Sequence, residues 1–322
     1  MVAFIKAVLS FLTTIVCTIA SPVFGNFAAG YAPSKDNCNL NFAVISDIHM
    51  TDETARRDML ALGLYDMDKA EEKLDALILA GDTTDMANSK QYTLVEDAFS
   101  KYTPADNIIM ALGNHDTWND ENINDYRYIE SERLFLEYNK KIANRDIDKV
   151  YYSTVVNGYT FLVMGSEYDH TDAYISAEQL DWLHRELNHA GADGKPVFVI
   201  SHWPLANTHG LPDIWGSDGT FAENISADVE NILQNYENVF MISGHIHSGL
   251  ANNSIRGYSS VETHGNITSV NLPSYMYPGI AGSPSNGNGF VFEVYDDEVI
   301  IRARNFSGGV WYTSNVYNIA LK

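Results

Sequence analysis

The sequence predicts an α/β protein whose central sheet ends in ligand-forming side chains, with a second sheet supplied by an all-β tail. Three observations predict it. First, five short apolar runs break off into Asp, Asn and His: 42–46 into Asp47-Ile48-His49, 76–80 into Gly81-Asp82, 108–112 into Gly113-Asn114-His115-Asp116, 197–201 into His202, and 239–243 into Gly244-His245-Ile246-His247. Second, segments with apolar residues at helical spacing lie between those runs, the alternation that builds an α/β sheet. Third, helical periodicity disappears from Ile255 onward and β-like runs take over.

In chain order, residues 1–25 hold one basic residue, Lys6, followed by an apolar stretch from Ala7 to Ala20. This reads as a secretory signal peptide, too short to span a membrane comfortably and closed by small residues at Ala20 and Gly25. The mature chain is expected to begin near Ser21 or Asn26 and to be secreted or extracytoplasmic; an uncleaved anchor is the alternative. A lead-in at 26–40 follows and carries Cys38. The only other cysteine, Cys17, lies in the expected signal, so no disulfide framework is available. Stability must come from a large core, which 45% hydrophobic residues can supply. A net charge of −22 argues against nucleic acid and anionic lipid as partners. It does not argue against a small phosphorylated substrate if divalent cations reverse the field locally.

Residues 41–322 read as one domain. Helical spacing predicts helices near 54–74, 89–102, 125–144, 176–189 and 226–236. Ser176-Ala177-Glu178-Gln179 resembles a capping box at the start of the fourth. Asn157-Gly158 between β-like runs at 150–156 and 159–165 predicts a hairpin. The tail, 251–322, offers β-like runs at 267–272, 289–295, 298–305 and 310–320. With no linker before it, it is expected to complete a second sheet packed on the first.

Ligands bind beyond the carboxyl ends of strands in open α/β sheets, so five such ends can converge on one site. Carboxylate oxygen mixed with imidazole nitrogen suits Zn, Mn or Fe, whereas an all-oxygen set would suit Mg or Ca. Gly81, Gly113 and Gly244 each precede a polar residue where the backbone must leave its strand sharply.

Asp47-Ile48-His49, Gly81-Asp82-Thr83-Thr84-Asp85, Gly113-Asn114-His115-Asp116, His202 and Gly244-His245-Ile246-His247 together resemble, in order and spacing, the signature of calcineurin-like metallophosphoesterases, over roughly 41–249. The resemblance implies a four-layer α/β/β/α sandwich with two mixed β-sheets and a dimetal site at the C-terminal ends of the strands. It implies two divalent or trivalent ions (Mn, Fe or Zn): Asp47, His49 and His247 on one, Asn114, His202 and His245 on the other, Asp82 bridging. It further implies hydrolysis of phosphoric monoesters or diesters by a metal-bridging hydroxide, with His115 as general acid to the leaving oxygen. Asp85 or Asp116 could orient His115, and the resemblance favours Asp85. In the purple acid phosphatase branch a metal-binding Tyr stands three residues after the bridging Asp; Asp85 stands there here, which disfavours that branch.

Substrate choice is expected in the segment 203–221, rich in Pro, Gly and aromatic residues and expected to overhang the site. Trp203, His209 and Trp215 are candidates for contacting an organic group, as are Trp118 and Tyr168. No Arg or Lys adjoins a motif, so phosphate recognition is assigned to the metals and His115. Two rival readings are a non-catalytic metal-binding scaffold of the same fold, and a structural zinc protein. Members of the first kind usually lack ligands, and this chain lacks none; the second favours a closed Cys-rich site, and cysteine is nearly absent here.

Overall fold

The computed structural model describes residues 27–28, 30–118, 125–168, 173–214, 220–248, 250, 257–276 and 286–322. The expected signal segment, 1–25, lies outside them.

Each apolar run becomes a short buried strand. One sheet contains β2 (Leu40–Ile45), β3 (Leu74–Ala80) and β4 (Ala105–Ala111), paired in parallel. The other contains β6 (Tyr159–Val163), β7 (Val197–Ile200) and β8 (Val239–Ser243), also parallel. The Asn157-Gly158 turn joins β5 (Tyr152–Val156) to β6 in an antiparallel hairpin, as expected.

These strands read as unbroken apolar runs because both faces of each sheet are covered. In β2, Phe42 and Val44 face the opposite sheet, while Ala43 and Ile45 pack with Leu60, Leu64 and Met67 of α1 (Thr54–Asp68). The same outer face carries α2 (Ser89–Phe99) through Leu94, Val95 and Ala98, and reaches Phe135 of α3 (Asp125–Ala143). On the far side, Leu162, Val199 and Met241 pack with Leu183 and Leu187 of α4 (Ala177–Ala190) and with Val229 and Leu233 of α5 (Glu223–Leu233). The result is helices, sheet, sheet, helices. At its centre the Phe42 ring lies 4.8 Å from Phe292, 4.9 Å from Phe198 and 5.2 Å from Phe161. Truncating such a ring costs about 3–5 kcal/mol, so this aromatic cluster fixes the spacing of the sheets and hence of their loops.

The tail corrects one expectation. It does not form one sheet but divides. β9 (Val261–His264) and β10 (Ile267–Asn271) extend the second sheet beside β8, whereas β11 (Asn288–Val294), β12 (Glu298–Asn305) and β13 (Val310–Ala320) extend the first beside β2. β1 (Phe27–Ala28) closes that edge on β13. Without the tail strands, β2 and β8 would each have a free edge, and the apolar pattern of a run says only that both its faces are covered, not which edge takes it. β11 is buried along its whole length and pairs Phe292 with Phe42, a central position. Both sheets are therefore mixed.

Helix ends also shift. α1 stops at Asp68, where the N–H of Lys69 turns back onto Tyr65 and Asp66, because Leu74 already belongs to β3. The capping box is half made. Ser176 Oγ accepts from Gln179 N at 3.2 Å, but the Gln179 side chain bonds Gly165 and Glu167, and the Ser176 N–H goes to Glu167 at 2.8 Å.

Candidate metal centre

Five strands stop at one end of the sandwich, and the chain leaves them in an unusual way. Asp47, His49, Asp82, His245 and His247 all have positive φ, at 57°, 44°, 48°, 72° and 44°. Non-glycine residues adopt this left-handed backbone at a cost of about 1–3 kcal/mol each, and such residues cluster where function requires it. Of the three glycines, only Gly81 has positive φ, at 90°. Gly113 and Gly244 are needed for space: a Cβ at 113 would fall on the backbone N and carboxylate of Asp82, and one at 244 on Ser46 and, at 2.6 Å, the Asp47 carboxylate.

The structure brings all nine sequence-predicted site residues together. In one nest His247 Nε2 lies 3.0 Å from Asp47 Oδ1 and 2.9 Å from His49 Nε2, which is 3.5 Å from Asp82 Oδ2. In the other, Asn114 Oδ1 lies 3.1 Å from His202 Nε2 and 2.9 Å from His245 Nδ1, and His202 Nε2 is 3.1 Å from Asp82 Oδ2. Asp82 Oδ2 thus stands between the two nests.

The hydrogen bonds around the rings decide which lone pairs point inward. His202 Nδ1 donates to the Ala80 carbonyl at 2.9 Å, and His49 Nδ1 donates to Asp85 Oδ1 at 3.2 Å. A carbonyl or carboxylate only accepts, so each ring turns its Nε2 lone pair inward. Two ring nitrogens 2.9 Å apart, one of them held as an acceptor, beside carboxylates that are themselves acceptors, need cations or protons among them. Without metal, protons serve. Burial opposes charge on every member, yet His247 and His202 hold Asp47 down at about 2, and His202 and His49 hold Asp82 well below the usual carboxylate range. Conversely, Asp82 and Asp47 lift His202 to about 9 against its own burial, and Asp47 raises His247. A mixed O/N donor set in two groups sharing one carboxylate fits two transition-metal ions.

His115 sits at the rim. Its backbone N–H donates to Asp82 Oδ1 at 2.8 Å, and its side chain is 22% exposed, against 0–1% for His202, His49, Asp47 and Asp82. Its Nδ1 is 2.9 Å from the carbonyl oxygen of Asp85 but 3.8 Å from the Asp85 carboxylate. The expectation that this carboxylate orients His115 is therefore corrected: the carboxylate is nearer His49, and the peptide oxygen of Asp85 holds His115. Asp116 does neither. Fully buried, it accepts from the N–H groups of Thr83, Thr84 and Gly113 at 3.2, 2.8 and 3.0 Å, and ties together the loops after β3 and β4.

The described parts of the segment after β7, 203–214 and 220–221, include residues that pack down rather than overhang, while 215–219 lie outside the described residues. Trp203 is fully buried, its ring edge-on to His202 at 5.4 Å, and His209 is buried with Nδ1 on the Ser259 carbonyl at 2.7 Å. Trp215 lies outside the described residues. Trp118 and Tyr168 are exposed, at 40% and 53%. Sequence reasoning also missed Arg56. In the first turn of α1, seven residues beyond His49, it donates Nη1 to the His49 carbonyl at 2.5 Å and helps lower Asp85. Helical phase carried the only signal for it: the first turn of a helix that follows a strand end points back at that end.

Fold and site define a metallohydrolase built on two sheets. Residues 40–249 match the calcineurin-like phosphoesterase family, and the chain belongs to it. It is thus a metal-dependent hydrolase acting on phosphoester bonds. Among solved structures, a dimetal phosphatase from Danio rerio is similar at 15% identity and a TM-score of 0.61, covering 89% of this chain and 100% of that one. The purple acid phosphatase PPD1 from yellow lupin is similar at 12% identity and a TM-score of 0.61, covering 90% of this chain and 55% of that one. PhoD is similar at 11% identity and a TM-score of 0.53, covering 90% and 73%. No curated protein sequence matches the chain. At such identities the structural likeness speaks for the fold alone.

Proposed function

We propose that this chain hydrolyses small phosphoric esters outside the cytoplasm with two transition-metal ions, one held by Asp47, His49 and His247, the other by Asn114, His202 and His245, with Asp82 shared. The observation that carries the reading is the placing of Asp82: Oδ2 stands between the nests while Oδ1 accepts the backbone N–H of His115. When bound, such ions supply Lewis acidity at the phosphoryl oxygens and make a water nucleophilic at neutral pH.

The protein's own part begins with charge. Two anionic carboxylates and one neutral amide oxygen leave a doubly loaded site net positive, which suits a phosphate in an otherwise acidic protein. His115 supplies the proton. Its Nδ1–H is committed to the Asp85 carbonyl, so in the imidazolium the transferable proton is on Nε2, aimed away from Asp85. The ring borders His49 at a centroid distance of 4.5 Å, which keeps that proton beside the nest.

His115→Ala tests this role. Metal content is expected to stay near the wild-type level, while turnover falls by on the order of 10²–10⁴. The fall is expected to be far larger on alkyl than on nitrophenyl phosphates and phosphodiesters, because an alkoxide needs a proton as its bond breaks and a nitrophenolate does not. Equal losses on both would count against proton donation, and a loss of metal would make His115 a ligand. Export rests on Lys6 and the apolar stretch to Ala20. N-terminal sequencing of native material is expected to begin near Ser21 or Asn26, and an intact Met1 would overturn it.

A further inference from the structure

We infer that Trp118 is a specificity-determining residue that stacks on a planar aromatic leaving group, so that the preferred substrates are phosphoric esters carrying an aryl ring or a nucleobase. The inference rests on the role proposed for His115. A general acid must face the leaving oxygen, so the organic body of the leaving group extends past His115 and away from the nest. Trp118 stands there. Its ring centroid is 4.8 Å from that of His115 with a tilt of 49°, and the side chain is 40% exposed, whereas Trp203 on the other flank is buried against His202.

Beside Trp118 the centre is partly open at His115. His115, His247 and Asp85 are 22%, 20% and 25% exposed, while His49, His202, Asp47 and Asp82 are sealed. The position of Trp118 is also built. Its N–H turns back to the His115 carbonyl at 3.3 Å, Thr117 N and Oγ donate to the Asn114 carbonyl at 3.1 and 2.8 Å, and Ser131 of α3 reaches the Thr117 carbonyl at 3.5 Å. The indole is therefore carried on the same turn as Asn114 and His115. One helical turn before Ser131, Tyr128 donates to the Ser166 carbonyl at 2.6 Å, and its ring neighbours exposed Tyr168, which neighbours exposed Tyr174. A further aromatic surface is thus anchored to the same face of α3. An indole stacks on any planar π system without requiring charge, which suits a protein whose net charge of −22 repels an anionic leaving group.

The test compares two matched pairs on metal-loaded wild type, Trp118→Ala and Trp118→Phe. 2-Naphthyl phosphate against phenyl phosphate asks how much stacked ring area counts, the two leaving phenols being of similar acidity. Adenosine 5′-monophosphate against ribose 5-phosphate asks for a base, the leaving alcohol being the same. Wild type is expected to favour the larger aromatic member of at least one pair. Trp118→Ala is expected to raise KM for that member by about 5- to 100-fold, the range for losing one stacked ring, with the smaller member affected less and product inhibition by inorganic phosphate little changed. Trp118→Phe is expected to restore much of the preference. The pair that responds identifies the source of the ring. Equal effects on both members of each pair, or none, would overturn the inference while leaving phosphoester hydrolysis intact; a wild type inactive on all four and on nitrophenyl esters would instead defeat the functional reading beneath it.

Discussion

The two nests use similar donors but are braced differently. His202 in the deep nest is braced by a main-chain group, the Ala80 carbonyl, and a Cβ on Gly81 would lie only 2.5 Å from its ring nitrogen. His49 in the open nest is braced by the Asp85 side chain, itself 25% exposed, while its own carbonyl is gripped by Arg56. A carboxylate behind an imidazole raises its basicity and fixes its orientation. The open nest is thus tuned by side chains that exchange with solvent, and the deep nest by the path of β3. Single substitutions outside the ligand set therefore reach the open nest readily, whereas the deep nest is reached from outside its ligands chiefly through the backbone.

The strongest way to break that contrast is Asp82→Asn, which strikes both nests at once. An amide cannot supply the shared negative charge, so both ions are expected to weaken and turnover to fall below that of any variant lacking one terminal ligand. Metal counting alongside nitrophenyl phosphate hydrolysis checks it; two retained ions with most of the activity would remove Asp82 from its bridging role. Gly113→Ala is expected to come next. Its new Cβ would meet the Asp82 backbone and carboxylate, so metal is lost although no ligand is altered. If Gly113→Ala kept full occupancy, the loops would be softer than their packing implies.

Much of this was legible in the sequence. Strands buried on both faces appear as unbroken apolar runs, and Asp47, Asp82, Asn114, His202 and His245 declare themselves by ending such runs. Three things were not legible, each because it depends on a contact between distant segments. Residues 289–320 join β2 rather than β8, since either edge satisfies the same pattern. The work of Asp85 and Asp116 depends on which loops face one another, and only the fold turns the first to His49 and the second to Thr83 and Thr84. Trp203 reads in sequence as a loop aromatic, but it fills the core beneath the deep nest.

Asp85→Asn sharpens the contrast. The amide keeps the size of the side chain and removes the charge that braces His49, while the peptide oxygen that holds His115 is untouched. Affinity for one ion is expected to fall by about 10- to 100-fold, the usual consequence of losing such a partner. The other ion should stay bound, and leaving-group dependence at saturating metal should be that of the wild type. Titration by calorimetry resolves the two sites. Equal weakening of both would mean that the nests are not separately braced, and a changed leaving-group dependence would return the carboxylate to His115.

The smallest expected effect is that of pH, and its sign differs between metal-free and loaded protein. In the metal-free chain His202 is raised from 6.5 to about 9, so its contribution to stability is complete below pH 6.5 and is lost as pH rises through 9. Asp47, lowered from 3.8 to about 2, contributes in the opposite sense: its share is present above pH 3.8 and is lost as pH falls through 2. Metal-free protein should thus be most stable between these limits and should weaken from pH 6.5 to 9. An ion entering the deep nest must displace the His202 proton, so its affinity is expected to rise by up to about tenfold per pH unit over the same interval. The gain in melting temperature on adding metal should therefore widen between pH 6.5 and 9. Because Asp47 also raises His247, the open nest should follow the same direction. A gain that stayed constant across that window would mean that ions bind without displacing protons, and that the imidazoles of the metal-free site are neutral despite the carboxylates around them.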